Sequence, residues 1–303
     1  MTDLIGDIHG HADKLEALLV KLGYTNNNGC YSHPERKVLF VGDYIDRGPQ
    51  IIKTLEIVKS MVDNGHAIAL MGNHEYNALC FHIQEREGGH LRKHLIKNII
   101  QHYETLKQFQ NRQQEYEFYL EWFKTLPLFH ETGSFRAVHA CWDIKSIAYL
   151  QTVLVNNRLN DSLIYDSVAR GSALYNALDI ILKGKEIKMP AGFSFTDKDG
   201  TLRRKARIRW WEDPSHTTYS KIIIEPLEQV PELAIDNTAL KDKSFYEPAN
   251  IPVFFGHYWL KGMPELFKPN ICCLDYSVAK RGHLVAYRFD GEMWLDEKKF
   301  LFV

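Results

Sequence analysis

Five short, largely apolar runs punctuate the chain, and each stops at a glycine or histidine: Leu4-Ile5 before Gly6, Val38 to Val41 before Gly42, Ala67 to Met71 before Gly72, Arg136 to Val138 before His139, and Ile251 to Phe255 before Gly256. Runs this short, closed by turn-forming residues, predict buried strands whose C-terminal ends carry polar loops. Between the first three lie helical stripes, Leu15, Leu18, Leu19 and Leu22, then Ile51, Ile52, Leu55, Val58 and Met61. The first half therefore reads as strand-helix-strand units, with polar strand ends gathered on one edge of a sheet core. A second kind of pattern follows. Leu95, Ile96, Ile99, Ile100, Tyr103, Leu106 and Phe109 recur at helical spacing up to Pro127, which predicts a helical insertion over about 76 to 126.

From about 146 to 250 the pattern thins to a helix around Asp166 to Leu182, a turn at Asp197 to Gly200 and alternating segments, as in a cap or substrate-facing region. The tail, Ile271 to Asp275, His283 to Phe289, a turn at Asp290-Gly291, then Met293 to Leu295, predicts an antiparallel meander closing a second sheet. No internal repeat or low-complexity tract interrupts this organisation, and a single domain over 1–303 is expected.

Composition narrows the partners. The chain has 303 residues, 45% apolar and 25% charged, an ordinary globular balance. Lys plus Arg number 37 against 38 Asp plus Glu, so no global field favours a polyanion or a membrane surface. The odd set Cys30, Cys80, Cys141, Cys272 and Cys273, without paired spacing, fits reduced thiols in a cytoplasmic protein. The N-terminus lacks the basic and apolar regions of a signal peptide, and no apolar run approaches the roughly 20 residues of a membrane span.

Chemistry is concentrated at the strand ends. In Gly6-Asp7-Ile8-His9-Gly10, extended backbone puts a carboxylate and an imidazole on one face, half of a divalent-ion site. Gly42-Asp43-Tyr44-Ile45-Asp46-Arg47-Gly48-Pro49 supplies a carboxylate able to bridge two cations, a second carboxylate, and a guanidinium fork matched to phosphate. Gly72-Asn73-His74-Glu75 adds a neutral oxygen ligand and an imidazole suited to protonating a leaving alkoxide. His139 and His257 again follow strands directly. Each alone has a plainer explanation: a polar turn, a helix N-cap, a hydrogen-bonded core histidine. Order and combination carry the inference.

In that order these residues resemble the calcineurin-like metallophosphoesterases, and more narrowly the phosphoprotein phosphatase branch. The resemblance is dense over residues 1 to 76 and returns near 139 and 257. It implies an α/β fold, a two-sheet β-sandwich core flanked by helices, and hydrolysis of a phosphate ester by water activated between two divalent metal ions, Mn2+ first, with Fe or Zn as alternatives. By the same resemblance Asp7, His9 and the bridging Asp43 hold one ion, and Asp43, Asn73, His139 and His257 the other. His74 is then the general acid, Asp46 its orienting carboxylate, and Arg47 a phosphate clamp. Trp259 stands where many wider family members carry a second histidine, which fits the protein-phosphatase branch. His139-Ala140-Cys141 departs from the His-Gly-Gly of eukaryotic protein phosphatases and is closer to the His-Ala-Gly of bacterial symmetrical diadenosine tetraphosphatases.

Outside this set, Arg170 is read as a second phosphate contact or a surface arginine, and Asp275 as a site-facing acid or a strand-end turn. Cys272 and Cys273 read as buried apolar residues. Lys205, Arg207 and Arg209 lie on one face of a possible strand, either solvated or anion-binding. The expected substrate is a phosphorylated one, a phosphoprotein carrying Ser, Thr or Tyr phosphate, with a dinucleoside polyphosphate, a nucleic-acid end, or a non-catalytic module of the same fold as competing readings.

Overall fold

The computed structural model of the chain describes every residue except 197–201, 225–229, 231, 236–238 and 241, together with the backbone alone at His216. The turn expected at Asp197 to Gly200 lies outside the described residues.

Two sheets face each other. The larger runs Asp275–Tyr276, His283–Phe289, Thr2–Ile5, Lys37–Phe40, Ala67–Ala69, with Phe300–Phe302 paired to His283–Phe289. Its three strands from the first half are parallel, with Ile5 opposite Phe40 and Phe40 opposite Ala69. The smaller sheet runs Ile271–Cys273, Val253–Phe255, Arg136–Val138, Phe129–Glu131.

Strand alternation explains the layering. Leu4, Leu39, Val285 and Tyr287 from one sheet meet Ala137, Phe254 and Cys272 from the other in a dry interior. Ile5, Val38 and Phe40 face the opposite way, onto the helices. The helix Ala12–Lys21 buries Ala12, Leu15, Leu18 and Leu19 there, and Ile51–Asp63 buries Ile51, Leu55, Val58 and Met61, the stripes the sequence predicts. Each such leucine or phenylalanine contributes roughly 1.5–3 kcal/mol on burial. The result is the expected α/β sandwich with helices outside.

Three expectations need correction, and one element was not expected. The helix over Asp166 to Leu182 is two helices, Asp161–Asp166 and Ala173–Lys183, because Gly171 turns at φ 87° and Ser172 caps the second through the Tyr175 amide. Met293 to Leu295 is no strand; the third strand of the tail is Phe300–Phe302. The tail does not simply close a second sheet either. Ile271–Cys273 belongs to the smaller sheet, and after Leu274 the chain crosses to the larger one, where Asp275–Tyr276 and His283–Phe289 pair. An apolar run buried on both faces carries no sign of which sheet it joins. Finally, a ribbon of Thr25–Asn27 and Cys30–Ser32 appears between the first two strands. Its exposed polar residues gave no hydrophobic signal, although Asn28 and Gly29, with φ 52° and 88°, make the tight turn such a dipeptide favours.

The insertion is helical, with Asn73–His82, Ile96–Gln108 and Gln113–Lys124. Its apolar stripe does not mark the buried face. Ile96, Ile100 and Tyr103 are exposed, whereas His102 and Thr105 are buried against the strand-end loops.

Candidate functional site: a carboxylate ringed by histidines

All five polar strand ends converge on Asp43. Its Oδ2 lies 3.7 Å from His9 Nε2, 3.8 Å from His74 Nε2 and 3.4 Å from His139 Nε2. Its Oδ1 accepts the His74 amide at 3.0 Å. Close approach of backbones makes this possible. A Cβ on Gly42, which has φ 115°, would sit 2.7 Å from the Gly72 backbone, and one on Gly256 would sit 1.9 Å from Asp7 Oδ1. Glu75, which the sequence reading left without a role, stitches two motif loops together by accepting the amides of Gly72, Asp43 and Tyr44 at 3.0, 3.0 and 2.8 Å.

The imidazoles are aimed by backbone carbonyls. His9 Nδ1 bonds the Ile45 carbonyl at 2.9 Å and His139 Nδ1 the Val41 carbonyl at 3.0 Å, so each presents Nε2 to the centre. Asn73 Oδ1 lies 3.0 Å from His139 Nε2. Several buried polar atoms here have no partner: Asp7 Oδ1, His9 Nε2 and both ring nitrogens of His257. Orphaned buried donors and acceptors cost about 1–3 kcal/mol each, so a cluster of them facing one centre needs a ligand. Hard oxygens and neutral imidazoles without thiolate suit divalent cations. The tightest trios are His9, Asp43 and His74, and Asp43, His139 and His257. His74 is already engaged elsewhere: its Nδ1 lies 2.6 Å from Asp46 Oδ2. Asp7 stands outside the trios but holds the His257 amide at 3.0 Å and keeps Oδ1 unpaired.

Electrostatics follow from burial. Desolvation pushes the His9 imidazole down to about 3, with His74 adding to it. Desolvation also lowers His257 far below the ordinary range, and the positive charge of Arg207 is the next cause. For Asp43, burial pushes the carboxyl up, but His139, His74 and His9 more than reverse it, leaving it well below the usual carboxylate range. Burial thus favours neutral imidazoles at His9 and His257 beside an ionised Asp43, as metal binding requires, whereas at His139 burial pushes the imidazole down and Asp43 more than reverses it.

The remaining predicted residues divide. Arg47 is half-buried beside the cluster, its guanidinium 5.7 Å from the Trp259 ring and its Nε without a partner. Trp259 stacks on His9 with ring centroids 5.2 Å apart. Asp275 is buried, but its oxygens accept the amides of Trp259 and Ser277 at 2.7 and 2.9 Å, so it clamps the turn carrying Trp259. Arg170 is exposed in the turn between two helices, with no described bond to the cluster. Arg207, seen in the sequence only as one member of a basic run, is the arginine whose charge acts on His257; its Nε donates to the Lys183 carbonyl at 3.1 Å. Ala206, Ile208 and Trp210 are buried, so Lys205, Arg207 and Arg209 share the opposite face, as the alternation predicts. Lys205 lies 4.0 Å from Glu186, and Arg209 lies over Phe267 at 5.6 Å. Cys272 and Cys273 are fully buried.

The calcineurin-like phosphoesterase family model matches residues 2–219, and the chain belongs to that family, a class of metal-dependent hydrolases. Among curated relatives, the asymmetrical bis(5'-nucleosyl)-tetraphosphatase PrpE of Oceanobacillus iheyensis is 36% identical over 128 residues, 42% of this chain and 50% of that protein. The PrpE of a Geobacillus species is 48% identical over 73 residues, 24% of this chain and 30% of that protein. The chain thus spans half or less of the length of these relatives. Among solved structures, a protein serine/threonine phosphatase from Saccharomyces cerevisiae superposes with a TM-score of 0.52 at 13% identity, covering 100% of this chain and 78% of that one. A cold-active protein tyrosine phosphatase gives 0.51 at 18% identity, covering 95% and 73%. Both likenesses are of fold. Among the described residues no helix is long and apolar enough to cross a membrane.

Proposed function

We propose that the protein is a two-metal phosphatase that hydrolyses phosphomonoesters, with phosphorylated Ser, Thr or Tyr as the substrate class. The observation that carries this reading is the Asp43-centred set of unpaired buried ligands beside the His74–Asp46 pair. Asp7, His9 and Asp43 would hold one cation, and Asp43, Asn73, His139 and His257 the other. Bound there, two divalent cations, Mn2+ in our reading, supply an activated water and offset phosphate charge. The chain's own residues do the rest. Arg47, by its charge on His9, and Arg207, by its charge on His257, are the guanidinium groups of the cluster and hold phosphate oxygens that gain charge as water adds to phosphorus. As the bond to the leaving oxygen breaks, His74 gives it the proton on Nε2, and Asp46 on Nδ1 stabilises the imidazolium until that transfer.

A second reading, a dinucleoside polyphosphate hydrolase, has its own observation. Trp259 lies at the mouth with two cations against it, Arg47 at 5.7 Å and the exposed Lys280 ammonium at 4.7 Å. An aromatic face with flanking positive charge suits a base and the phosphates beyond the reacting one. The names of the PrpE relatives point the same way.

The test is a substrate panel with Mn2+: phosphopeptides, diadenosine tetraphosphate and a 2',3'-cyclic nucleotide. Highest kcat/KM on phosphopeptides supports the first reading. Preference for the dinucleotide replaces it with the second, and the products, two ADP or ATP with AMP, tell symmetrical from asymmetrical cleavage. No hydrolysis of any ester by the metal-loaded chain defeats both.

A further inference from the structure

Asp46 serves more than His74. Its Oδ2 meets His74 Nδ1 at 2.6 Å, while its Oδ1 meets His102 Nδ1 at 2.5 Å and Thr105 Oγ1 at 2.6 Å. The Asp46 amide donates to the same Thr105 hydroxyl at 3.1 Å. Behind His102, its Nε2 lies 2.7 Å from the Tyr116 hydroxyl. His74, Asp46, His102, Thr105 and Tyr116 are all buried, so no water competes for these bonds. Burial also holds the Tyr116 hydroxyl well above its usual range, so it stays a donor.

Counting protons leaves one neutral arrangement. Tyr116 O–H donates to His102 Nε2, which puts the His102 proton on Nδ1, donating to Asp46. Thr105 O–H donates to the same carboxylate. The other oxygen of Asp46 then takes the Nδ1 proton of His74, so His74 turns Nε2 toward Asp43 and the reacting phosphate; the imidazolium, protonated on both nitrogens, gives up the Nε2 proton and returns to this neutral form. His102 is not needed to dock its helix. On the same face of that helix Gln108 accepts the Ile51 amide at 2.7 Å and donates to the Gly48 carbonyl at 3.0 Å, and Thr105 bonds the Asp46 amide.

We propose that His102, held by Tyr116, is a positioning residue that acts through Asp46 to fix the ring orientation and tautomer of His74. The inference rests on His74 being the general acid. Without His102, the Asp46 carboxylate loses one of three side-chain donors in a site closed to water, and its hold on His74 loosens. Proton delivery to the leaving group suffers, while metal ligation does not.

The experiment uses the full chain with Mn2+ and a series of aryl and alkyl phosphates of rising leaving-group pKa. Wild type, His74→Ala, His102→Ala, His102→Asn, Tyr116→Phe and the His74→Ala/His102→Ala pair are compared, with metal content and Tm measured for each. His102→Ala is expected to lose about 10- to 100-fold in kcat on alkyl phosphates and little on p-nitrophenyl phosphate, with KM within about twofold. His102→Asn, which restores an N–H donor, should recover much of the loss, and Tyr116→Phe should show a weaker loss of the same shape. The double variant should be no slower than His74→Ala, since a residue acting through His74 has nothing to act on once it is gone. Should His102→Ala fail to fold, His102→Asn and Tyr116→Phe decide by the same slope. A steep leaving-group dependence in His74→Ala beside a uniform loss in the His102 and Tyr116 variants, or losses that add in the double variant, overturns the relay alone. A flat profile in His74→Ala itself overturns the acid role, and the relay with it.

Discussion

The floor of the site and the segment that covers it are built on different principles. The floor comes from five strand ends, and its loops are held in conformations that side chains resist. His9, Asp43, Asp46, His257 and Trp259 all have positive φ, and apart from asparagines the only other described non-glycine residues with positive φ are Ser277 and Arg281 in the neighbouring turn. The covering segment, from about 186 to 240, packs Ile187, Ala206, Ile208, Tyr219 and Ile222 into a small core of its own. Trp210 and Trp211 tie it into the main core: Trp210 Nε1 donates to the Ala140 carbonyl at 3.1 Å, Trp211 meets Phe255 at 5.3 Å, and the Lys268 ammonium donates to the Trp211 carbonyl at 2.9 Å. Strain paid for by dense bonding fixes where charges stand. A cover with a core of its own can vary there without disturbing them. The chemistry should therefore fail all at once on damage to the floor, and in graded, substrate-dependent ways on damage to the cover or the rim.

The largest effect belongs to the floor. Asp43→Asn removes the one charge shared by three imidazoles, and we expect hydrolysis of every substrate to fall to background together with bound metal, measured by elemental analysis of the purified variant. Full metal content with lost activity would mean that Asp43 is not the shared ligand.

Next is the cover. Arg207→Ala should cost about 100-fold in kcat/KM, the order expected for one preorganised donor to a developing oxyanion, whereas Arg170→Ala should stay within about twofold. Steady-state kinetics on one aryl phosphate decides between them. Equal losses would restore Arg170 to the site.

That pair also measures how far the site was legible. Asp7, His9, Asp43, Asn73 and His74 sit in loops of a few residues immediately after strands, so sequence adjacency and spatial adjacency coincide. His139 and His257 are isolated in sequence, yet the apolar run before each one marks a strand end. Arg207 has no such marker; it reaches the cluster because the ribbon of Lys205–Arg207 with Glu186–Lys188 folds over it, a long-range event. His102 was hidden for another reason. Periodicity located its helix, but the apolar stripe of Ile96, Ile100 and Tyr103 drew attention to the face turned to solvent. The buried face is polar, His102, Thr105 and Gln108 three apart, and it is chosen by partners in the Asp46 loop. The fold was legible where burial is one-sided. It was not at Ile271 to Tyr276, where both faces are buried and the run changes sheets.

The rim separates the two substrate readings by a smaller margin. Trp259→Ala should weaken diadenosine tetraphosphate about tenfold in KM while leaving a phosphoserine peptide nearly unchanged, because one lost base–aromatic stack is worth roughly 1–3 kcal/mol. Competition between the two substrates in one reaction reads this directly. Equal weakening would assign Trp259 to propping His9 rather than to substrate.

The smallest effect is on stability, and it exposes the cost of the floor. Burial raises the carboxyl of Asp7, with Asp275 and Asp43 adding to it; burial raises Asp275 too, and burial followed by Asp43 takes Glu75 up to about 7. Acids raised on folding lend stability that is complete below their unfolded values and is lost as pH climbs through the folded ones. Buried imidazoles act in the opposite sense. Burial takes His9 down to about 3 and His82 down to about 4, so between those values and the unfolded value of about 6.5 rising pH favours folding. Below about pH 6.5 the two groups oppose each other; above it His9 and His82 are neutral in both states, and the acids are joined by His139, which burial lowers but Asp43 raises on balance, so rising pH costs stability there too. Metal-free protein should thus lose a few degrees of Tm between about pH 6.5 and 8, an order of magnitude set by about 4 °C or less per kcal/mol for a chain this long. Of these groups Asp7 and His139 are in the ligand set, where cations would compete with protons, so the Tm gained on adding Mn2+ to chelator-treated protein should grow across that interval. Thermal melts at several pH values, with and without chelator, check both slopes. A Tm gain from Mn2+ that is constant with pH would mean that Asp7 and His139 are not where the cations bind.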